Sequence, residues 1–336
     1  MSSAPGPEEI AKDACWLAQA LDPSAGVARL VAMDRESYRR ASFLDDRLMQ
    51  LAVDAQLVAW PDVEAAIASD LRSDARWIFH IGHVGSTLVS RLLGELQGVL
   101  AIREPRLLRD LAQSPPDIRD GYLGPIGKLM SRTFGPDEFA CVKATSFVSE
   151  IAHQLVPPGE RALFLFASPR NYIASMLAGE NSLGELHALA DARSHRLQER
   201  VAAIQAPRND AELAAIAWAC EMTALEAAAV AMADRHIEWA DFDRMLEQMP
   251  QALGRVASFF GFSHDAEAIQ AIAEGPLMKR YSKALEYDYS AQLRRDLIDE
   301  ATAHCRPAID GAISMLRSAA GQSPLLANAM ARAGGN

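Results

Sequence analysis

The stretch "FHIGHVGSTLVSRLL", residues 79–93, joins an apolar strand pattern to an amphipathic helix pattern through a short glycine-containing loop. In such an arrangement the free backbone N–H groups at the helix N-terminus point at an anion, and the helix dipole favours negative charge there. Gly82 and Gly85 permit close approach of the backbone to a ligand. Ser86 and Thr87 have hydroxyl groups that cap the helix or donate to phosphate oxygens. The stretch therefore predicts either an anion-binding loop or an ordinary capped strand-to-helix turn.

The loop between the two glycines differs from a Walker A motif. That motif has four residues between its glycines and a lysine before the Ser or Thr. Here two residues separate Gly82 from Gly85, and no lysine is present. We therefore expect no ATP-driven phosphoryl transfer of the kind that uses a P-loop lysine and Mg²⁺.

Apolar runs typical of strands alternate with longer helical patterns from residue 76 onward. The strand patterns are rich in β-branched and aromatic residues and lie at 77–81, 99–102, 139–143, 161–167 and 236–240. The helical patterns between them lie at 87–96, 172–180 and 211–233. This alternation predicts an α/β fold with a five-stranded parallel sheet flanked by helices over residues 76–320.

The two ends of the chain lack this alternation. Residues 1–75 show helical patterns broken by Pro23 and Pro61, and we predict a helical N-terminal extension there. Near the C-terminus the pattern predicts two consecutive helices, the second opened by Pro307. We expect residues 321–336 to form a C-terminal tail with a frayed end.

The composition argues against several classes of partner. The chain has 336 residues, half of them hydrophobic, and its formal net charge of −11 disfavours a broad nucleic-acid-binding face. The four cysteines lie far apart, and the aspartate pairs at 45–46 and at 241 and 243 are typical of solvated caps, so we predict no metal site. We recognise no signal peptide and no membrane span, which predicts a cytoplasmic protein of open oligomeric state.

The loop sequence resembles the phosphosulfate loop of the sulfotransferase family. In that family the first strand is followed by a basic residue, one further residue, Gly and two hydroxyl or similar residues. The matching positions here are His83, Val84, Gly85, Ser86 and Thr87. His83 stands where the family usually has Lys or Arg, and a protonated imidazole can still donate to a bridging oxygen. The resemblance implies a P-loop NTPase-like sulfotransferase fold and 3'-phosphoadenosine 5'-phosphosulfate as the donor.

Two further elements of the family bind the 3'-phosphate of this donor. One is a Ser on the helix after a later strand, and in "SPRNYIAS", residues 168–175, that position is Ser175. Ala167 replaces the family's Arg before that helix, and Arg170 is the candidate to reach the phosphate instead. The other element is a C-terminal loop, for which the resemblance implies the ligands Lys279, Arg280, Ser282 and Lys283.

Two strand ends carry the candidate catalytic residues. Glu104 matches the catalytic glutamate of family members that act on tyrosine or sugar hydroxyls and amines. Lys143 matches the catalytic-region lysine of the cytosolic members, whose histidine base falls on Thr145, a side chain that is no base at neutral pH. The resemblance thus implies Glu104 as the base. The residues alone equally allow it to anchor a loop through Arg103, Arg106 or Arg109.

The implied function is sulfuryl transfer to a hydroxyl or amine of an unidentified small-molecule or glycan acceptor. The donor's phosphosulfate would lie on the backbone N–H groups of residues 84–87, with His83 and Lys143 stabilising the developing charge and no divalent metal. The acceptor pocket is expected from variable segments, namely residues 1–75 and 176–210. His80, at the strand end, is interpreted as a hydrogen-bonded structural residue.

Two other functions stay open. "HIGH" at 80–83 and "RYSKA" at 280–284 resemble the HxGH and KMSKS pair that binds ATP phosphates in class I aminoacyl-tRNA synthetases. Such a nucleotidyl transferase needs a tRNA-binding surface, which the acidic composition does not supply. The third possibility is a catalytically degenerate phosphate- or nucleotide-binding module of the same fold, indicated by Ala167 and His83.

Overall fold

The N-terminal segment forms a small antiparallel sheet with short helices in the computed structural model, which describes residues 5–67, 71–202, 204–284 and 286–334. Its elements are α1 (Pro7–Lys12), β1 (Trp16–Asp22), β2 (Val27–Ala32), α2 (Arg35–Arg40), a 3-10 helix (Asp46–Gln50), β3 (Ala55–Ala59) and α3 (Trp60–Ala66). The central strand β2 pairs antiparallel with both β1 and β3.

The prediction of a helical N-terminal extension over residues 1–75 is wrong where the chain forms the strands β1, β2 and β3. Their alanines and leucines favour a helix locally, but cross-strand pairing buries Leu17 and Val31 together in the core. Pro23, one of the two prolines interpreted as helix breaks, lies in the β1–β2 turn. That turn is closed by Asp22, whose carboxylate accepts hydrogen bonds from the backbone N–H groups of Ser24 and Ala25.

A second part of the chain alternates strands and helices. Its elements are β4 (Arg76–His80), α4 (Ser86–Leu93), β5 (Val99–Arg103), α5 (Arg106–Gln113), α6 (Pro116–Ser131), β6 (Phe139–Lys143), a 3-10 helix (Ser146–Ile151), α7 (Ala152–Leu155), β7 (Arg161–Phe166), α8 (Pro169–Leu177), α9 (Glu180–Ala188), α10 (Ala190–Arg200), α11 (Asp210–Ala231) and β8 (His236–Asp241). The five strands β4 to β8 form one parallel sheet. The predicted five-stranded parallel sheet flanked by helices is confirmed.

The strand order of this sheet is β5-β6-β4-β7-β8. The chain runs from β4 to β5 at one edge, returns to β6 beside β4, and then crosses to β7 and β8 on the other side. In open α/β sheets, ligands bind outside the carboxyl ends of the strands where the order changes direction. The carboxyl ends of β4 and its neighbours are therefore the expected place for a site.

Helix α11 is the central core helix of the protein. It is the one helix of the described ranges that is long and apolar enough to span a membrane, and 83% of its most apolar window is buried inside the protein. Trp218 on this helix is fully buried, as predicted, and its indole N–H donates to the carbonyl of Ala167 at 3.0 Å. Burial of α11 explains its apolar composition without a membrane.

The part of the chain after β8 is helical. Its helices are α12 (Phe242–Glu247), α13 (Met249–Phe260), α14 (Ala266–Ala273), a 3-10 helix (Pro276–Lys279), α15 (Ala291–His304), α16 (Arg306–Ala320) and α17 (Pro324–Arg332). They pack on different neighbours: α13 on α4, and α16 and α17 on α11. The two predicted consecutive helices are α15 and α16, with Pro307 in the first turn of α16. The predicted tail is wrong over α17, because this helix buries Leu326 and Met330 and its Arg332 pairs with Glu226 of α11.

Candidate active site

A pocket of about 380 Å³ opens at the carboxyl end of the parallel sheet, beside β4. Its floor is the loop after β4 and the first turn of α4, and one wall is formed by the ends of β5 and β6. Helices α8 and α9, residues 280–283, residues 288–289 and helix α15 contribute the opposite walls. The pocket thus lies where the topology of the sheet predicts a ligand.

The loop at the floor has an unusual backbone. Gly82, His83 and Gly85 have φ values of 79°, 53° and 61°, in the left-handed region that only glycine adopts readily. Gly85 is the N-cap of α4 and has no side chain with which to cap the helix. A Cβ atom there would lie 1.8 Å from Cζ of Phe242, so glycine is required for space as well. Backbone N–H groups of a first helical turn that lacks a side-chain cap can donate to an anion.

His83 is held in the loop by helix α9. Its Nε2 lies 3.2 Å from a carboxylate oxygen of Glu185, and its Nδ1 lies 3.4 Å from the hydroxyl of Ser182. Burial alone would raise the pKa of Glu185, but hydrogen bonding and charge from His83, together with the charge of Arg193, lower that pKa to about 2. A carboxylate that stays ionised therefore fixes the imidazole, and Glu185 was not found from the sequence.

Glu104 and Lys143 meet at the ends of the adjacent strands β5 and β6. The Lys143 ammonium and the Glu104 carboxylate form an ion pair, and Lys143 Nζ also donates to the Thr87 hydroxyl at 3.2 Å. The Lys143 side chain is 1% exposed, and its burial lowers its pKa against the opposing effect of Glu104. Both predicted catalytic residues thus line the pocket next to the first turn of α4.

The backbone places the Glu104 carboxylate in the pocket rather than among the neighbouring arginines. Glu104 has a φ of 52°, and its N–H donates to the Lys143 carbonyl at 2.7 Å. The three arginines that offered an anchoring role have other partners: Arg103 donates to the backbone carbonyl of Ala41, whereas Arg106 and Arg109 pair with Asp46. A non-glycine residue in this region persists only where its surroundings hold it, often at functional sites.

His80 contributes a side chain that the sequence analysis assigned to structure. It is buried at the end of β4 and lines the pocket. Its Nδ1 accepts a hydrogen bond from the Gly82 N–H at 2.9 Å, whereas its Nε2 has no hydrogen-bond partner within the described part of the chain. Burial, followed by the charges of Lys143 and Lys283, holds the pKa of His80 well below its usual range.

The predicted ligands of the donor's far phosphate are brought together only in part. Ser175, Arg280 and Lys283 line the pocket, and so does Ser282. Arg170 and Lys279 are not among the lining residues. Arg170 instead pairs with Asp310 of α16 at 2.7 Å, because the first turn of α8 turns its side chain toward that helix. The side chain of Val84 is buried in the core, so Val84 offers only its backbone.

Arg294 is a cation of the pocket that sequence analysis missed. It lies on α15, and its guanidinium stacks over Phe242 at 5.3 Å from the ring centroid. Its Nε donates to a carboxylate oxygen of Asp243 at 3.1 Å. The interaction joins positions far apart in the sequence, so no local pattern could have revealed it. The same pocket wall carries Lys283 and Arg280, and Arg280 pairs with Asp288 at 2.8 Å, just as Arg294 pairs with Asp243.

Arg91 of α4 forms hydrogen bonds to two other segments near the pocket, residues 39–42 and the segment that contains Ser282. Its guanidinium donates to the carbonyls of Ser282 and Arg39 at 3.0 and 2.9 Å, and to the hydroxyl of Ser42 at 2.8 Å. The next residue, Phe43, lines the pocket, as do Ala178 and Ser182 of the α8–α9 region. Residues from both segments expected to form an acceptor pocket, 1–75 and 176–210, thus reach the site.

The fold and the site define an α/β protein in which the loop before α4 lies beside an ion pair of Lys143 and Glu104. Comparison with known proteins found no matching family model and no matching curated protein. Among solved structures, the chain is similar to a sulfotransferase domain from the curacin biosynthetic pathway, with 13% identity, coverage of 68% of this chain and 89% of that chain, and a TM-score of 0.40. It is also similar to a sulfotransferase domain from the Synechococcus PCC 7002 olefin synthase, with 14% identity, coverage of 68% and 86%, and a TM-score of 0.39. Likeness at this level concerns the general fold and carries no argument about activity.

Proposed function

We propose that this protein transfers a sulfuryl group from 3'-phosphoadenosine 5'-phosphosulfate to a hydroxyl or amine of a small-molecule or glycan acceptor. One observation carries the proposal: the uncapped N-terminus of α4 and the buried pair of Lys143 and Glu104 face the same pocket. The first is suited to an anionic donor and the second to proton transfer and charge stabilisation. The sequence resemblance implies sulfuryl transfer, a reaction that needs both an anion-binding site and a base.

In the proposed reaction, the phosphosulfate lies on the backbone N–H groups of residues 84–87. The adenosine end extends toward Ser175 and the cations Arg280 and Lys283, which line the other part of the pocket. Cationic side chains at both ends suit a donor that is anionic at both ends, and in this proposal the donor's phosphate replaces Asp288 as the partner of Arg280. Arg294 is available to the same end of the donor, which compensates for the arginine that Ala167 replaces.

The transfer step uses Glu104 as the base. Glu104 takes the proton from the acceptor, whose oxygen or nitrogen forms a bond to sulfur while the bond from sulfur to the bridging oxygen breaks. The negative charge that grows on the bridging oxygen is stabilised by Lys143 and His83. The products are the sulfated acceptor and 3'-phosphoadenosine 5'-phosphate, and Glu104 returns its proton to water.

A nucleotidyl transferase is the second candidate, because the two motifs that resemble HxGH and KMSKS meet in one pocket. His80, His83 and Lys283 all line it. The sheet order disfavours this candidate. In the dinucleotide-binding type of α/β sheet the second strand lies beside the first. Here β6, the third strand of the parallel sheet, occupies that place next to β4.

Thermal unfolding in the presence of three ligands tests the proposal. A ligand that binds only the folded protein raises its melting temperature, and the stabilisation grows with the logarithm of the ligand concentration over Kd once the ligand is in excess. We expect 3'-phosphoadenosine 5'-phosphate to stabilise the protein and ATP and tRNA to have much smaller effects. Stabilisation by ATP alone would favour the nucleotidyl transferase. Stabilisation by bisphosphate without any turnover of the phosphosulfate donor would favour the degenerate binding module.

Two lysines of the same segment supply a matched control. Lys283 lines the pocket, whereas Lys279 is exposed outside it, although the sequence resemblance implied both as ligands. Lys283→Met is expected to reduce the shift given by the bisphosphate, and Lys279→Met to leave it unchanged. Equal effects of the two substitutions would mean that the ligand binds through general surface charge rather than in this pocket.

A further inference from the structure

His80 has a defined tautomer, which follows from its hydrogen bonds. The Gly82 backbone N–H is always a donor, so Nδ1 of His80 must accept at the observed 2.9 Å and carries no proton. The proton of the neutral imidazole therefore lies on Nε2. The low pKa of His80, caused by burial and by the charges of Lys143 and Lys283, agrees with a neutral ring. His80 is thus a neutral donor at Nε2.

This donor is buried, faces the pocket and lacks a partner. No described residue accepts a hydrogen bond of normal geometry from Nε2 of His80: the backbone of Ala144 interacts with the ring only enough to raise its pKa against the larger effect of burial, and Oε1 of Glu104 lies 3.8 Å away. An unsatisfied buried donor destabilises the folded state, so it is rare unless a ligand or water completes it. His80 lies between the loop that would hold the leaving group and the carboxylate that would receive the acceptor's proton.

We propose that His80 is a further catalytic residue, whose Nε2–H donates a hydrogen bond to a non-bridging oxygen of the transferring sulfuryl group. This inference rests on the proposed function. During transfer the sulfur lies between the acceptor atom and the bridging oxygen, and His80 stands between the loop at Gly82 and the Glu104 carboxylate, 3.8 Å from Nε2, that would take the acceptor's proton. The donor therefore binds the group that moves, whereas the rest of the nucleotide makes no contact with it.

The role excludes proton transfer by His80. Taking up a proton at Nδ1 would break its bond to Gly82 and create a buried imidazolium that the charge of Lys143 repels. His80 therefore keeps its single proton throughout. The acceptor's proton goes to Glu104, and the electron pair of the broken bond stays on the bridging oxygen of the product bisphosphate.

Two substitutions separate this role from a structural one. The shorter side chain of His80→Asn can replace Nδ1 as acceptor for Gly82 but cannot reach the position of Nε2. The longer side chain of His80→Gln places an amide N–H near the position of Nε2. Calorimetry then measures Kd for the phosphosulfate donor and for 3'-phosphoadenosine 5'-phosphate, which lacks the sulfuryl group, on the wild type and both variants.

We expect His80→Asn to weaken binding of the phosphosulfate donor about tenfold and to change the Kd of the bisphosphate less than about twofold. His80→Gln should recover most of the lost donor affinity. Equal weakening of both ligands by His80→Asn, or no change in either, would overturn the inference and leave the proposed function standing. A wild type that binds neither ligand would overturn the proposed function itself, and this inference with it.

Discussion

Glu104 and Lys143 form a buried ion pair across the carboxyl ends of two adjacent parallel strands, and the Glu104 N–H donates to the Lys143 carbonyl. The same lysine reaches the Thr87 hydroxyl in the first turn of α4. One side chain thus connects the candidate base with the loop that opens α4. In the proposed reaction this connection places the donor and the acceptor's proton in the same pocket.

Glu104→Gln tests the base. The amide keeps the size of the carboxylate but cannot take a proton, so turnover should fall about 100-fold or more while the fold is retained. Transfer of labelled sulfate from the phosphosulfate donor to a panel of phenols, sugars and amines measures it, with circular dichroism as the check on folding. Asp110→Asn, on the adjacent helix α5, is the control for loss of a carboxylate outside the pocket. Near-normal turnover of Glu104→Gln would remove Glu104 from the mechanism.

Lys143→Ala tests charge stabilisation in the same assay. Removal of a preorganised donor to developing charge reduces turnover about 100-fold or more, and we expect this with the sheet intact. Lys12→Ala, at an exposed position in α1, is the matched control. Turnover by Lys143→Ala within about threefold of the wild type would show that the growing charge is stabilised elsewhere, since loss of a preorganised donor costs much more than this.

The stability of the ion pair can be separated from its chemistry. Lys143→Met leaves the Glu104 carboxylate buried without a partner, which should lower the free energy of unfolding by about 3 to 5 kcal/mol. The double variant Lys143→Met with Glu104→Met removes both charges and should be more stable than the single variant. Urea unfolding measures both. A double variant less stable than Lys143→Met would show that packing, rather than an unpaired charge, dominates the loss.

Gly85→Ala tests the close contact at the loop. Gly85 has a φ of 61°, and an added Cβ would meet the Phe242 ring. Gly26 has a φ of 62° with no atom within 4 Å of such a Cβ, so Gly26→Ala measures backbone strain alone, on the order of 1 kcal/mol. We expect Gly85→Ala to lose about 2 kcal/mol more than this control. Equal losses of the free energy of unfolding would contradict the contact with Phe242.

The pair of His83 and Glu185 gives the stability a pH dependence of known sign. The folded-state pKa of Glu185 is lowered from 4.5 to about 2, so its contribution is fully present above about pH 4.5 and is lost as the pH falls toward 2. Glu185→Gln should therefore lower the urea midpoint at pH 7, and its difference from the wild type should shrink by pH 3. A difference that is the same at both pH values would contradict the assigned pKa.

The parallel sheet was predictable and the N-terminal sheet was not, for a physical reason. Strands buried on both faces need continuous apolar runs, and "RALFLFA" shows that pattern without ambiguity. Strand β1 reads "WLAQALD", whose alanines and leucines suit a helix as well as a strand. This segment forms a strand because it pairs with β2, and such pairing depends on tertiary structure rather than on local sequence. The tail was mistaken likewise, since packing on α11 stabilises α17.

In the candidate site, too, the features set by the local sequence could be predicted, whereas those that depend on contacts between distant residues could not. The loop after β4 and the strand ends that carry Glu104 and Lys143 were recognisable, because the residue types and their order follow a known pattern. His80 forms the structural hydrogen bond that the sequence predicts, to the Gly82 N–H, but the lack of a hydrogen-bond partner at its Nε2 depends on the spatial surroundings and could not be predicted. Arg294 and Glu185 reach the pocket from distant helices, and Arg170 turns away toward Asp310, which spacing along the chain cannot reveal.

The central claim is that the N–H groups opening α4 bind the phosphosulfate end of the donor. A crystal structure of the protein with 3'-phosphoadenosine 5'-phosphate, at a concentration that saturates it in solution, tests this most directly. We predict the 5'-phosphate within hydrogen-bond distance of the backbone N–H groups of residues 84–87, with the 3'-phosphate toward Lys283. A bisphosphate bound elsewhere, with this loop left without a ligand, would contradict the account.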